Sequence, residues 1–242
     1  MTRLFLSDID AGDNSITLGS EDSHYISSVL RMREGEKLVV VSTDTGEELI
    51  AEVSKTDKTE TTLRVTERRQ NTSESPCKIT LYQSVSKGER MDLTIQKSVE
   101  LGVSKIVPVF SERCVVKQEK KSNKTDRWQK IALEAARQSG RGIVPEVAEA
   151  LTFDQALQDS KNRQFTLFPW EEEHGMTLKQ AIEGKDLTDV GVFIGPEGGF
   201  SEEEADKACR SGALSVTLGP RILRTETAGP AVLAMLLYES EL

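Results

Sequence analysis

Two hydrophobic periodicities divide the chain. Up to about residue 70, apolar positions come in short β-rich runs: Leu38-Val-Val-Val41, Glu48-Leu-Ile-Ala-Glu-Val53 and Thr61-Thr-Leu-Arg-Val-Thr66. Their β-branched enrichment predicts strands, and turn formers such as Asp44-Thr-Gly46 separate them. Between Asp22 and Met32, the spacing of Ile26, Val29 and Leu30 predicts one helical face instead. Strands with a single helix predict a small β-barrel domain over residues 1–70. Gln70-Asn-Thr-Ser-Glu-Ser-Pro76 is polar, ends in proline and reads as a linker to a second domain over 77–242.

Beyond the linker the two periods alternate. Ile79–Val85, Ile106–Phe110, Phe165–Phe168, Val190–Ile194 and Leu214–Leu218 are apolar runs of strand length. Helical stripes are interspersed among them: Met91, Ile95 and Val99, then Trp128, Ile131, Ala132, Ala135 and Ala136, and last Val232, Leu233, Leu236 and Leu237. Ser201 with Glu204 three residues later predicts a capped helix start. Near-continuous apolar strands alternating with helices predict an α/β domain, a mostly parallel sheet covered by helices.

In such sheets ligands gather at the carboxyl ends of the strands. Two loops dense in glycine and proline fall at that edge. They are Ile194-Gly-Pro-Glu-Gly-Gly-Phe200 and Leu218-Gly-Pro-Arg-Ile-Leu-Arg-Thr-Glu-Thr-Ala228. Glycine lets backbone approach a ligand closely, and proline stiffens the bend. Neither loop has the spacing of a dinucleotide fingerprint, and neither carries the Gly-Lys-Ser/Thr of a Walker loop. The pair predicts a nucleotide-like ligand held by another device.

Charge adds a second partner. The chain carries a net −9, yet Lys78 to Arg141 holds 14 basic and 7 acidic residues, a local +7. One basic segment in an acidic protein fits either a localised nucleic-acid contact or helix faces that simply carry lysines. Lys117, Lys120, Lys121, Lys124 and Arg127 form its densest part, Arg141 lies at its end, and Arg31 with Arg33 form a second candidate patch. Cys77, Cys114 and Cys209 are too far apart for a zinc site or a disulfide framework and read as reduced thiols. His174 after three glutamates reads as a solvated acidic loop, so no metal is expected. No apolar run approaches the roughly 20 residues of a membrane span, and acids interrupt the N-terminus early, which makes the cytoplasm the default compartment.

The two glycine-proline loops resemble the signature loops of the RsmE family, bacterial methyltransferases acting on 16S ribosomal RNA. His24-x4-Val-Leu-Arg31, Glu100-Leu-Gly-Val103 and Gln138-Ser-Gly-Arg141 resemble its other elements, so the likeness extends over nearly the whole chain; Cys114 stands where serine is expected. The resemblance implies a SPOUT trefoil-knot domain behind a PUA-like β-barrel, a homodimer, and S-adenosyl-L-methionine as cofactor. It places the cofactor against Phe168, against Ile194, Gly195, Pro196, Glu197 and Gly198, and against Leu218, Gly219, Ile222, Leu223 and Arg224. The implied acceptor is N3 of a uridine in 16S rRNA of the small ribosomal subunit. A guanidinium near the flanking carbonyl oxygens favours loss of the N3 proton. Arg224 is the first candidate and Arg221 the second, with Glu226 or a water taking the proton. Two alternatives stay open: a SPOUT methyltransferase on another RNA, and an assembly factor that keeps the pocket without turnover.

Overall fold

The computed structural model describes residues 1–9, 12–116 and 124–240. Its contacts divide the chain into two compact units. One is Met1–Glu74 with Ala136–Val144, and the other is Ser75–Ala135 with Pro145–Leu242. A division near residues 70–77 is therefore crossed once, by a later segment that joins the N-terminal unit.

In the N-terminal unit, strands β1 (Arg3–Leu6), β2 (Ser15–Leu18), β3 (Lys37–Ser42), β4 (Glu47–Thr56) and β5 (Thr61–Gln70) form one mixed sheet in the order β1-β3-β4-β5-β2. β1 pairs β3 in parallel and the remaining pairs are antiparallel. The register of β4 on β5 shifts at Ile50/Ala51 and again at Val53/Lys55. Such bulges bend and twist the long strands, and the sheet curls without β1 meeting β2. It is a half-barrel. Leu4, Leu38, Val40, Leu49, Val53 and Leu63 fill its inner face with Ile26. The helix expected at 22–32 is shorter and less regular. It is α1 (Ser20–His24) followed by a π-helical turn at Tyr25–Val29, closed by the Leu30 amide on the Tyr25 carbonyl, and Arg31 leaves it with φ +55°.

Glu48 is the polar hub of this unit. Its carboxylate is 2% exposed and accepts from Arg3, from Arg69 Nε at 2.7 Å and from Asn71 Nδ2 at 2.6 Å. Arg3 also donates to the Arg141 carbonyl, and Arg141 itself is held by Glu74, Nε to Oε1 at 3.1 Å. Burial pushes the Glu48 carboxyl up, but the hydrogen bonds from Arg3, Asn71 and Arg69 outweigh it and hold the group below its ordinary range.

The C-terminal unit is a parallel sheet. Its strands are β6 (Lys78–Ser84), β7 (Lys105–Phe110), β8 (Glu146–Val147), β9 (Leu151–Thr152), β10 (Phe165–Pro169), β11 (Asp189–Ile194) and β12 (Leu214–Val216). The order is β12-β10-β11-β6-β7-β8, with β9 also on β7. Helices α2 (Glu89–Glu100), α3 (Lys124–Ser139), α4 (Phe153–Ser160), α5 (Leu178–Ile182), α6 (Glu202–Arg210) and α7 (Thr225–Ser240) connect them. Capping boxes start α4, α5 and α6, the last being the expected Ser201–Glu204 pair. On one side of the sheet an aromatic cluster sets the spacing: Tyr82 stacks on Phe193 at 4.6 Å and Phe168 lies 4.4 Å from Phe200. On the other side α7 packs against α2, β11 and β6.

Because the Glu48 carboxyl is depressed in the folded unit, its contribution is complete above the unfolded pKa and is lost as pH falls through the folded one. Removing one partner of a buried ion pair costs about 3–5 kcal/mol. Urea denaturation of Glu48→Ala is therefore expected to show a loss of that size at neutral pH and a flatter decline in acid. A loss under about 1 kcal/mol contradicts the hub.

Candidate active site

The site is made by the chain crossing its own sheet. β12 lies at one edge, outside β10, whereas α7 packs beyond it over β11 and β6. Residues 217–224 must therefore run across the carboxyl ends of the strands. Two sets of hydrogen bonds hold this crossing. Thr217 donates its amide to the Met176 carbonyl at 2.8 Å and accepts from Leu178, which ties it to the loop after β10. At the far end, Thr225 Oγ1 donates to the Gly195 carbonyl at 2.7 Å and accepts from Gln83 Nε2 at 2.8 Å. Gln83 is fully buried in β6. One hydroxyl thus joins the central strand, the loop after β11 and the first turn of α7.

The loop after β11 is tightly wound. A Cβ at Gly195 would lie 3.3 Å from Gly199 backbone. At Gly199, φ is +66° and a Cβ would fall 1.8 Å from a Glu171 carboxylate oxygen. Arg113 braces the same loop by donating to the Gly198 carbonyl at 3.0 Å. Gly219 turns the crossing segment at φ +105°. Backbone therefore forms the walls where side chains would fill the space.

Between the two loops lies a cavity of about 830 Å³, within the usual range for small-molecule sites. It brings together Ile194, Gly195, Pro196, Glu197 and Gly198 from one loop. From the other it takes Leu218, Gly219, Arg221, Ile222, Leu223, Arg224 and Glu226. Among the described residues, the amides of Leu218, Ile222 and Leu223 have no hydrogen-bond partner, so backbone donors stand open beside apolar side chains.

Phe168 is not in the wall. The alternation of β10 turns it into the aromatic cluster, fully buried, and the next two residues, Pro169 and Trp170, line the cavity instead. Arg141 is also set apart. Its side chain is 4% exposed and spent on Glu74, so it presents no free guanidinium at the surface. Arg127 is exposed but paired with Asp92. Arg31 and Arg33 are exposed in the N-terminal unit. Lys124 begins α3, while Lys117, Lys120 and Lys121 lie outside the described residues.

Arg90 enters the cavity from the first turn of α2, where periodicity reads it only as a solvated helix position. Its NH1 donates to Glu197 Oε1 at 2.7 Å, and its Nε lies 3.9 Å from Glu226 Oε1. Arg224 NH1 reaches the same Glu226 oxygen at 4.0 Å, with its own side chain 79% exposed. Burial pushes the Glu197 carboxyl up, but its backbone bonds, including the Lys87 amide, and Arg90 bring it below its ordinary range. One signal in the sequence marked Arg90: a cation at a helix N-terminus opposes the helix dipole. Among the described residues no group of three or more His, Cys, Asp or Glu side chains is placed to hold a metal, and no helix is long and apolar enough to cross a membrane.

A parallel sheet whose C-terminal segment crosses its own carboxyl edge to frame a cavity is the α/β-knot, or SPOUT, class, here behind a PUA-like half-barrel. The chain belongs to the RNA methyltransferase family: the RNA methyltransferase domain model matches residues 73–237 and the RNA methyltransferase PUA domain model matches 18–66. It is 33% identical to ribosomal RNA small subunit methyltransferase E of Bacillus subtilis, over 94% of this chain and 91% of the relative. With the protein of that name from Aquifex aeolicus it shares 32% over 97% and 99%. The crystal structure of ribosomal RNA small subunit methyltransferase E from Neisseria gonorrhoeae, bound to S-adenosyl methionine, superposes with a TM-score of 0.88. That pair is 33% identical and covers 99% of this chain and 98% of the other.

Replacing Thr225 by valine leaves the part-buried Gly195 carbonyl without its donor, a loss of about 1–3 kcal/mol, while the Gln83 amide keeps its bond to the Ser84 carbonyl at 3.2 Å. Thr225→Val is expected to lower stability by about 1–3 kcal/mol in chemical denaturation, while Thr225→Ser stays near wild type. A valine variant within about 0.5 kcal/mol of wild type contradicts the relay.

Proposed function

We propose that this chain is an S-adenosyl-L-methionine-dependent methyltransferase acting on N3 of a uridine in 16S rRNA of the small ribosomal subunit. The single observation that carries the reading is the cavity between the two glycine-proline loops. Its residue chemistry fits the cofactor: unpaired backbone amides and the apolar side chains of Leu218, Ile222 and Leu223 suit an adenine, and Glu197 offers a carboxylate to an ammonium. The full-length relatives named for small-subunit ribosomal RNA methylation support the substrate.

When bound, the cofactor supplies an electrophilic methyl group on a sulfonium. The chain's own residues then have two tasks, alignment and the management of one proton. The loops at Gly195–Gly199 and Leu218–Leu223 orient the donor. Arg224 is exposed at the mouth and held on one side by Glu226. There it faces the uridine carbonyl oxygens and stabilises the charge that develops as N3–H is lost. Arg221 backs it, and Glu226, or a water beside it, takes the proton. Arg31 and Arg33, with the basic run Lys117, Lys120, Lys121, Lys124 and Arg127, contact RNA phosphates.

The protein works as a homodimer in the cytoplasm. α7 supports the dimer because it is apolar nearly all round, with Met235 at 46% and Tyr238 at 67% exposure, and Ile222 of the crossing segment is 88% exposed. A helix of that kind is covered by a partner.

Isotopically labelled S-adenosylmethionine and undermethylated small subunits test the reading. The label is expected in 3-methyluridine, and Arg224→Ala is expected to lower kcat about 100-fold or more with the cofactor Kd within about threefold. Label in another nucleoside moves the specificity. No label despite cofactor binding overturns the enzymatic reading and leaves an assembly factor.

A further inference from the structure

The electrostatics of the cavity contain a residue that the reaction as outlined does not use. Arg90 lies between two acidic residues supplied by different loops. Glu197 belongs to the loop after β11, and Glu226 to the first turn of α7. The guanidinium is forked, so one side chain serves both at once, NH1 towards Glu197 and Nε towards Glu226. Glu226 is 14% exposed and shares its Oε1 with Arg224. The result is an unbroken chain of alternating charge, Glu197–Arg90–Glu226–Arg224, running from the donor loop to the mouth of the cavity.

Arg90 stands at a helix N-terminus, the wrong end for a cation. The acids of its own turn, Glu89 and Asp92, offset that cost, and its ion pairs are made with the two loops instead. Glu197 has a second tie, because the Lys87 amide donates to the same Oε1 at 3.1 Å. The donor loop therefore keeps a hold when Arg90 is removed. Glu226 has no such reserve: among the described residues its ion pairs are with Arg90 and the largely exposed Arg224.

We infer that Arg90 is a positioning residue of the methyl transfer: by bridging Glu197 and Glu226 it fixes Glu226, and through it Arg224, at a set distance from the donor loop. The inference rests on the methyltransferase reading for its kinetic consequence but not for its structural one. Because the Lys87 amide still holds Glu197 whereas Glu226 loses its tie, loss of Arg90 weakens the chemical step more than donor binding.

The test uses the full chain with Arg90→Met, Arg90→Lys, Glu226→Gln and the Arg90→Met/Glu226→Gln double variant. Arg90→Met is expected to lower kcat about 10- to 100-fold while the cofactor Kd, read by calorimetry, moves less than about threefold. Arg90→Lys keeps the charge but not the fork, and is expected to recover only part of the loss. If Arg90 acts through Glu226, the double variant is no slower than Glu226→Gln alone. Multiplying effects, or a Kd loss as large as the kcat loss, overturn the inference. Amide exchange of the cofactor-free protein gives a readout independent of turnover: residues 224–228 are expected to exchange faster in Arg90→Met than in wild type. Unchanged exchange there overturns the inference as well. A wild-type protein that transfers no methyl group refutes the methyltransferase reading, and the exchange result still decides the role of Arg90.

Discussion

The geometry of the site depends on one hydroxyl. Thr225 receives a hydrogen bond from the buried Gln83 of the central strand and passes one to the Gly195 carbonyl. This fixes where α7 starts, and so where the segment that crosses the strand ends must finish. Threaded chains are rare because loops seldom pass across one another without a gain that holds them there. Here the crossing is anchored at both ends, by Thr217 on the loop after β10 and by Thr225 on the loop after β11. The cavity is the space these anchors leave between two stiff loops.

Packing and electrostatics divide the work. Behind the loops, Phe168, Phe193 and Phe200 form a dry aromatic layer that sets the height of the strand ends. In front of them stand charges: Arg90, Arg224, Glu197 and Glu226. The same loop serves both layers: Gly199 leaves room for the Glu171 carboxylate that a Cβ would strike, while its neighbour Phe200 enters the core. The N-terminal unit follows the same logic on a smaller scale, with Glu48 gathering Arg3, Arg69 and Asn71 behind an apolar sheet.

Much of this was legible in the chain. The change of period near residue 70 separates strand-rich from alternating segments, and the two glycine-proline loops sit directly after apolar strands, which is enough to mark the cavity wall. What was not legible depends on contacts between distant segments. No periodicity reports that Gln83 and Thr225 meet, or that α2 carries Arg90 to Glu197. Phe168 misled because strand length is readable but the facing of its last residues is set by the neighbours they pack on. Arg141 looked like a surface cation, and its pairing with Glu74 arises because Ala136–Val144 folds with the N-terminal unit. The π-helical turn at Tyr25–Val29 has apolar spacing close enough to an ordinary helix to be read as one.

Co-crystallisation with S-adenosylhomocysteine tests most directly whether the crossing loops hold the methyl donor. Density for the ligand is expected between Gly195–Gly199 and Leu218–Leu223, with its adenine against the unpaired amides of the crossing segment. Density elsewhere on the molecule, or an empty cavity at ligand concentrations that saturate binding in solution, contradicts it.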